Sequence, residues 1–173
     1  NLDFKEYDKS ILRKFSFDYM GLMSWIQEGI AIEALQKFNI KYDAYRSAIV
    51  IPNFDYEGKL IGVRERFLKP EDVAKGKYRP MFDNGVLYNH PTGRTFYGIY
   101  ENHKAIERKK ICVIFEGEKS VLLYGSIYGV DNNTVKIVIP SDQAQSVSYI
   151  SSKYKSYFQV SISEMFNHEY EIS

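Results

Sequence analysis

The chain has 173 residues, of which 45% are hydrophobic and 16% aromatic, a composition that excludes an intrinsically disordered protein. This length is enough for one medium-sized domain or two small ones with a sizeable core. The formal net charge at pH 7 is only +1, so the chain has no overall attraction for nucleic acid, and any such site needs a local cluster of lysine and arginine.

The single cysteine excludes a disulfide framework and a zinc site made of cysteines. The sequence has no apolar run long enough to cross a membrane and no recognisable signal peptide, so we expect a cytoplasmic protein without a membrane segment. Because the chain begins at Asn1 and not at methionine, we also expect it to be part of a longer protein.

The first elements of the chain are predicted to be helical. Residues 1–22 mix aromatic and charged side chains without a clear period and predict partial helix. From Ser24 onward the apolar residues recur at helical spacing, and Ser24 with Gln27 fits a capping box. We therefore predict a helix that is interrupted near Gly29 and ends near Asn39.

A β-hairpin is predicted next, with strands at residues 46–52 and 60–68 around a turn at 55–58. On its second strand Arg64 and Arg66 are two residues apart and therefore lie on one side, whereas the neighbouring apolar residues lie on the other. This strand can be an ordinary one whose cations face solvent, or it can present them to an anionic partner.

Residues 69–95 have no apolar periodicity and are predicted to form a long loop. Cations and aromatic residues are interleaved here, namely Lys69, Lys75, Lys77, Arg79 and Arg94 with Tyr78, Phe82, Tyr88 and His90. This combination suits a single nucleic-acid strand, because cations can contact phosphates while rings stack on bases. A solvated connecting segment is the alternative, and both interpretations stay open.

The second half of the chain predicts an alternation of helices and strands. A helix at residues 96–110 leads into a short apolar strand at 111–115, and Glu116 with Gly117 then forms a tight turn before another helix. Such a turn holds a carboxylate at the C-terminal edge of a strand, where open parallel sheets place their ligand sites. Glu116 can act there as a general acid or base or help to hold a divalent cation, or it can simply begin a helix.

Two further strands are predicted at residues 135–139 and 157–162, separated by a helix that Asp142 caps. Five motifs lie at residues 25–38, 49–66, 77–80, 93–98 and 115–120. In their order and spacing they resemble the catalytic core of bacterial-type DNA primases, over most of the chain up to about Tyr128.

The resemblance implies an α/β fold made of two parts. Residues 1–98 would be a mixed α/β N-terminal subdomain, basic and in contact with template and primer. Residues 99–173 would be a TOPRIM-like domain, a small parallel sheet flanked by helices that holds the metal ions for nucleotidyl transfer.

Site residues are carried over from the family position by position. Glu116 matches the glutamate at the end of the first TOPRIM strand, which implies a catalytic residue that binds Mg²⁺ or Mn²⁺. The nucleic-acid-binding residues predicted from the basic strand, the basic loop and the family motifs are Arg64, Arg66, Lys77, Tyr78, Arg79 and Arg94.

The sequence departs from the family at its acidic Asp-x-Asp motif. After the 157–162 strand, where that pair is expected, Glu164 is the one carboxylate, and we predict it as the remaining metal ligand. An alternative register, that is, a different alignment of this sequence with the family, places the motif at Asp142. It leaves one crossover helix after Glu116 where the family has two. Thr92 also stands where the family usually has lysine. These departures bear on catalysis more than on the fold.

Two functional hypotheses follow. The first is a primase that synthesises RNA primers from ribonucleotides on a single-stranded DNA template, as a monomer, with a replicative helicase as a further partner. The second is a primase-derived module that binds nucleic acid or a replication partner without polymerising. A TOPRIM-type nuclease is a third, which the primase-like first part argues against. A phage or other mobile element is the expected source.

Overall fold

The structure is a computed structural model, and it divides the chain into two compact units, Asn1–Glu101 and Asn102–Ser173. The functional identities expected for residues 1–98 and 99–173 stay predictions. None of the described helices combines the length and the apolar character that a membrane span needs. The residues that the structure describes are 4–90, 92–109, 111–115, 117–124, 134–137 and 171–172.

An antiparallel sheet of four strands in sequential order forms the centre of the first unit. Its strands are β1 (Lys41–Asp43), β2 (Ala48–Phe54), β3 (Leu60–Phe67) and β4 (Tyr78–Pro80). The predicted hairpin at residues 46–68 is confirmed as β2 and β3. Strand β2 is buried along nearly its whole length, which explains its continuous apolar sequence.

Two helices precede the sheet, α1 (Tyr19–Gln27) and α2 (Ile32–Lys37), after a short 3-10 helix (Lys9–Lys14). The predicted interruption is confirmed at Gly29, whose φ of 96° belongs to the left-handed region that glycine adopts easily. The predicted capping box at Ser24 is wrong.

Helix α1 begins at Tyr19, five residues before Ser24, because the carboxylate of Asp18 caps it. This side chain accepts hydrogen bonds from the backbone N–H of Met20 at 2.9 Å and of Gly21 at 3.3 Å. Ser24 is therefore inside the helix, next to the fully buried Trp25. An aspartate cap satisfies the same free N–H groups that a serine would have satisfied.

Both faces of the sheet are covered near its centre. On one face Tyr42 of β1 packs against α1 so closely that a Cβ added to Gly21 would lie 2.3 Å from its ring. On the other face Val50 and Val63 belong to a buried cluster that includes the 3-10 helix residues Ile11 and Leu12. The end of the sheet formed by β3 and β4 carries polar side chains.

The prediction of a long irregular loop at residues 69–95 is wrong. This segment contains α3 (Pro70–Val73), β4, β5 (Phe82–Asp83), β6 (Val86–Leu87) and a 3-10 turn (Thr92–Arg94). Strands β5 and β6 form a hairpin around Asn84 and Gly85, both with positive φ, as tight hairpin turns require. Elements of two to four residues are too short to show a hydrophobic period, so pairing with neighbours decides their structure.

Helix α4 (Ile99–Lys109) confirms the predicted helix at residues 96–110. In the second unit, β7 (Ile111–Ile114) and α5 (Glu118–Tyr124) confirm the predicted strand and helix. Strand β8 (Thr134–Ile137) runs parallel to β7, and β9 (Glu171–Ile172) runs parallel to β8. The helix predicted after Asp142 and the strand at 157–162 lie outside the described residues. The predicted mixed α/β class is confirmed.

Candidate nucleic-acid interface

Three of the predicted nucleic-acid-binding residues lie on one face of the sheet. Strands β3 and β4 pair Arg64 with Pro80 and Arg66 with Tyr78, and directly paired residues of antiparallel strands project to the same side. The guanidinium carbon of Arg64 lies 5.3 Å from the centroid of the Tyr78 ring, a cation-π distance. Arg64, Arg66 and Tyr78 are all partly exposed, and we call these three residues the arginine–tyrosine face.

Arg66 has an incomplete set of partners within the described part of the chain. Its Nε is buried and has no hydrogen-bond partner there. None of the ion pairs between described residues includes Arg66 either. Arg66 as a whole is partly exposed, and a guanidinium is a group that pairs well with an anionic acceptor.

Arg79 lies on the opposite side of the same sheet. It pairs with Glu65 of β3, its guanidinium carbon is 3.8 Å from the centroid of the Phe67 ring, and its Nη2 is 3.6 Å from Oδ1 of Asp72. The predicted group of cations is therefore divided between two faces, and Arg64 and Arg66 do not share a surface with Arg79.

Lys77 and Arg94 are exposed and lie at the ends of short elements. Lys77 directly precedes β4, and its carbonyl accepts a hydrogen bond from the N–H of Phe67 at 3.0 Å, which extends the pairing of β3 with β4. Arg94 ends the 3-10 turn Thr92–Arg94. Their contact with nucleic acid stays a prediction.

The predicted metal ligands Glu116 and Glu164 lie outside the described residues. Among the described residues, no group of three histidine, cysteine, aspartate or glutamate side chains could hold a metal ion. The elements on either side of Glu116 are nevertheless those predicted, because β7 ends at Ile114 and the carbonyl of Gly117 accepts the first N–H bonds of α5.

Sequence reasoning missed an ion-pair network around Arg46. Its Nη1 lies 2.8 Å from Oε1 of Glu65, its Nε 3.3 Å from Oδ2 of Asp43, and its Nη2 3.4 Å from Oδ1 of Asp83. Lys14 forms a further ion pair with Asp83. Glu65 is only 2% exposed, and the network joins β1, the turn between β1 and β2, β3 and β5.

The Arg46 network is the floor of an open cleft of about 820 Å³ on the Arg79 side of the sheet. The charged residues that line the cleft are Arg46, Lys69 and Arg79 with Glu65, Asp72 and Asp83. Positive and negative charges are thus equal in number, and both arginines already contact carboxylates. The cleft has no surplus positive charge for phosphate, which distinguishes it from the arginine–tyrosine face.

Glu65 should make stability depend on pH. Burial raises the pKa of its carboxyl from the ordinary 4.5 to about 6, and nearby Asp43 adds to this effect, while Arg46 opposes it. The folded state then binds more protons at Glu65 than the unfolded state between these values, so the contribution of Glu65 to stability is largest below pH 4.5 and is lost as pH rises through about 6. We expect the Glu65 contribution to the free energy of unfolding to fall by about 2 kcal/mol over this range.

Urea unfolding of the wild-type chain and Glu65→Gln across the same pH range measures this contribution. The variant has no carboxyl to titrate, so its curve should lack the fall. Parallel pH curves for the two proteins would contradict the assignment to Glu65.

Solved structures with the same architecture were found by structural comparison. A DnaG primase catalytic domain bound to single-stranded DNA matches with a TM-score of 0.59 and 13% identity, over 88% of this chain and 68% of that one. A DnaG catalytic core matches with a TM-score of 0.60 and 14% identity, over 88% and 67%. The Escherichia coli primase catalytic core matches with a TM-score of 0.56, 14% identity and the same coverage. The chain has the fold of a bacterial primase catalytic core.

Sequence comparison adds a relative from a prophage. The SPbeta prophage-derived uncharacterized protein YorJ of Bacillus subtilis strain 168 is 40% identical over 116 residues, which are 65% of this chain. The chain covers only 31% of that protein's length. No protein-family model matches the chain. The structural comparison thus shows a primase-like architecture. The sequence identity to these structures is too low to assign an activity to the chain.

Proposed function

We propose that this chain is a primase-type nucleotidyltransferase that synthesises RNA primers from ribonucleotides on single-stranded DNA. The observation that carries the proposal is the primase core fold, which extends over 88% of the chain. The similar DnaG domain is bound to single-stranded DNA, and this chain presents Arg64 and Arg66 together on one sheet face. Phosphoryl transfer depends mainly on the positioning of the reactants and on cations that stabilise the phosphate charge. A face with two arginines can bind the strand and contribute such cations.

The residues have separate roles in this proposal. Arg64 and Arg66 bind phosphates of the strand, with Lys77 and Arg94 as further cations, whereas Arg79 lies on the opposite side of the sheet. Glu116 and Glu164 are the ligands for Mg²⁺ or Mn²⁺, since carboxylates are the groups that these cations prefer. A bound divalent cation would neutralise the charge that develops on the transferred phosphate.

The finer assignments belong to the same proposal. Residues 99–173 act as the TOPRIM-like domain, and residues 1–98 contact template and primer. The chain works as a monomer in the cytoplasm, together with a replicative helicase. The prophage origin of the relative YorJ supports a phage or mobile-element source.

A second candidate function is a nucleic-acid-binding module that has lost polymerisation. One observation favours it, because the sequence has a single carboxylate, Glu164, where the primase family has an acidic pair. Such a module would keep the fold and the arginine–tyrosine face. It would bind single-stranded DNA with an affinity that falls steeply with salt concentration, but it would form no product.

The experiment that separates the two candidates measures product and binding on the same sample. The chain is incubated with single-stranded DNA, labelled ribonucleotides and Mg²⁺ or Mn²⁺, while fluorescence anisotropy follows binding of the DNA. We expect short labelled RNA with either cation and none with EDTA. Binding without product under all conditions would establish the second candidate and overturn the first.

A further inference from the structure

The cleft on the Arg79 side of the sheet has two exposed aromatic rings in its lining. Tyr45, in the turn between β1 and β2, is 91% exposed, and Phe82 of β5 is 59% exposed. Phe82 pairs directly with Leu87 of β6, which is 50% exposed, so these two side chains project to the same side of the hairpin. Large apolar side chains that stay exposed beside a concave surface are typical of protein-binding sites.

Three charged residues in the lining, Lys69, Asp72 and Arg79, are held only loosely. Oδ1 of Asp72 lies 3.6 Å from Nη2 of Arg79 and 3.8 Å from Nζ of Lys75, and both distances are longer than a hydrogen bond. Lys69 is exposed, and none of the ion pairs between described residues includes it. These three side chains can therefore pair with charges of a partner.

The guanidinium of Arg79 is nevertheless fixed in its orientation. Its central carbon lies 3.8 Å from the centroid of the ring of Phe67, which is nearly buried. Its Nε is buried and has no hydrogen-bond partner in the described part of the chain. A planar cation that is already oriented loses little conformational entropy when a carboxylate binds it.

The charges of the lining determine which class of ligand fits the cleft. A nucleic-acid strand carries negative charge only, so the carboxylates of Glu65, Asp72 and Asp83 would oppose it. A protein segment can carry charges of both signs together with an apolar side chain, and it can therefore match the loosely held charges and the exposed rings at the same time.

We propose that this cleft binds a segment of a partner protein in which an aromatic or aliphatic side chain lies between an acidic and a basic residue. The apolar side chain packs on the rings of Tyr45 and Phe82. The acidic residue pairs with Arg79 and Lys69, and the basic residue pairs with Asp72. The cleft is on the side of the sheet opposite to the arginine–tyrosine face, so its test is independent of strand binding.

The experiment begins with selection of peptides from a random display library on the full chain. The enriched peptides should contain an acidic residue, a basic residue and an apolar side chain between them. The most enriched peptide is then synthesised with a fluorescent label, and this probe is titrated with the chain while fluorescence anisotropy follows binding.

Variants of the lining should weaken binding of the probe in a defined way. Phe82→Ser and Tyr45→Ser should each lower the affinity about tenfold, which is the size expected for loss of an aromatic anchor. Lys69→Glu should also lower it. This variant should bind a second probe, in which lysine replaces the acidic residue, more tightly than the wild-type chain does. Such an exchange of preference shows direct pairing and not a general loss of structure.

Tyr19→Ser is the matched control. Tyr19 is 52% exposed and is not in the lining of the cleft, so its removal tests the loss of a surface tyrosine alone. The affinity for the probe should not change in this variant. Urea unfolding of every variant should show the midpoint of the wild-type chain, because the replaced side chains are exposed.

Three results would overturn the inference. The first is that no peptide is enriched, or that the probe binds Phe82→Ser as tightly as the wild-type chain. The second is that the enriched peptides carry charges of one sign only. The third is that light scattering shows a wild-type dimer that Phe82→Ser dissociates, which would assign the cleft to a second copy of the chain. The proposed function stands in all three cases, since primer synthesis tests it separately.

Discussion

Replacing Arg46 with alanine is expected to lower the free energy of unfolding by about 3–5 kcal/mol at neutral pH. Arg46 contacts the carboxylates of Asp43, Glu65 and Asp83, and the first two are 7% and 2% exposed. Without the guanidinium, the nearly buried carboxylates of Asp43 and Glu65 lose the cation that contacts both of them from the turn between β1 and β2. Removing one partner of a buried ion pair costs more than the pair contributes, because the remaining charge stays desolvated.

The cost of Arg46→Ala should be smaller in acid. Burial raises the pKa of Glu65 to about 6, so below this value the carboxyl is largely neutral and needs no cation. Urea unfolding at neutral pH and near pH 5 measures the difference. The double variant Arg46→Ala/Glu65→Gln should recover part of the stability lost at neutral pH.

Arg13→Ala is the control for this prediction, because Arg13 is exposed at the end of the 3-10 helix. Its replacement should change stability by less than about 0.5 kcal/mol. A loss of less than about 1 kcal/mol for Arg46→Ala, equal at both pH values, would show that the network does not stabilise the fold.

Replacing Glu116 with glutamine is expected to reduce primer synthesis by at least about a hundredfold, because glutamine keeps the shape of the side chain but lacks the charge that a divalent cation requires. The variant should bind single-stranded DNA as the wild-type chain does, since Glu116 is not one of the strand-binding residues. Product formation per enzyme molecule, measured at saturating ribonucleotide, reports the effect.

Asp142→Asn is the matched control for Glu116→Gln. In the preferred register Asp142 caps a helix, so its neutral replacement should leave most of the activity. A loss as large as that of Glu116→Gln would favour the alternative register, in which Asp142 belongs to the acidic motif. Full activity of Glu116→Gln would remove this residue from the catalytic machinery.

The long elements of the fold could be predicted from the sequence because they have a clear hydrophobic period. Strands β2 and β3, helix α4, strand β7 and helix α5 all lie close to where their patterns placed them. The segment between residues 69 and 95 could not be predicted in this way. Its strands are two or three residues long, and β4 exists because β3 offers it hydrogen-bond partners.

Only the part of the candidate site that lies on a single strand could be predicted from the sequence. That Arg64 and Arg66 share a face follows from the two-residue period of any strand. That Tyr78 joins them while Arg79 points away depends on the register of β3 and β4, which no local pattern encodes. The pairing of Arg46 with Glu65 depends on the register of β2 and β3, although a lone glutamate between two arginines was a signal that could have been followed.

Template dependence is the measurement that tests the central claim most directly. The chain is given oligothymidylate as template and each of the four labelled ribonucleotides in turn, with Mg²⁺ or Mn²⁺, and the products are resolved by length. If this primase-like fold performs primer synthesis, only ATP is incorporated, and other homopolymer templates select their own complementary ribonucleotides. Incorporation that ignores the template, or none at all by a chain that binds the oligomer, would contradict the account.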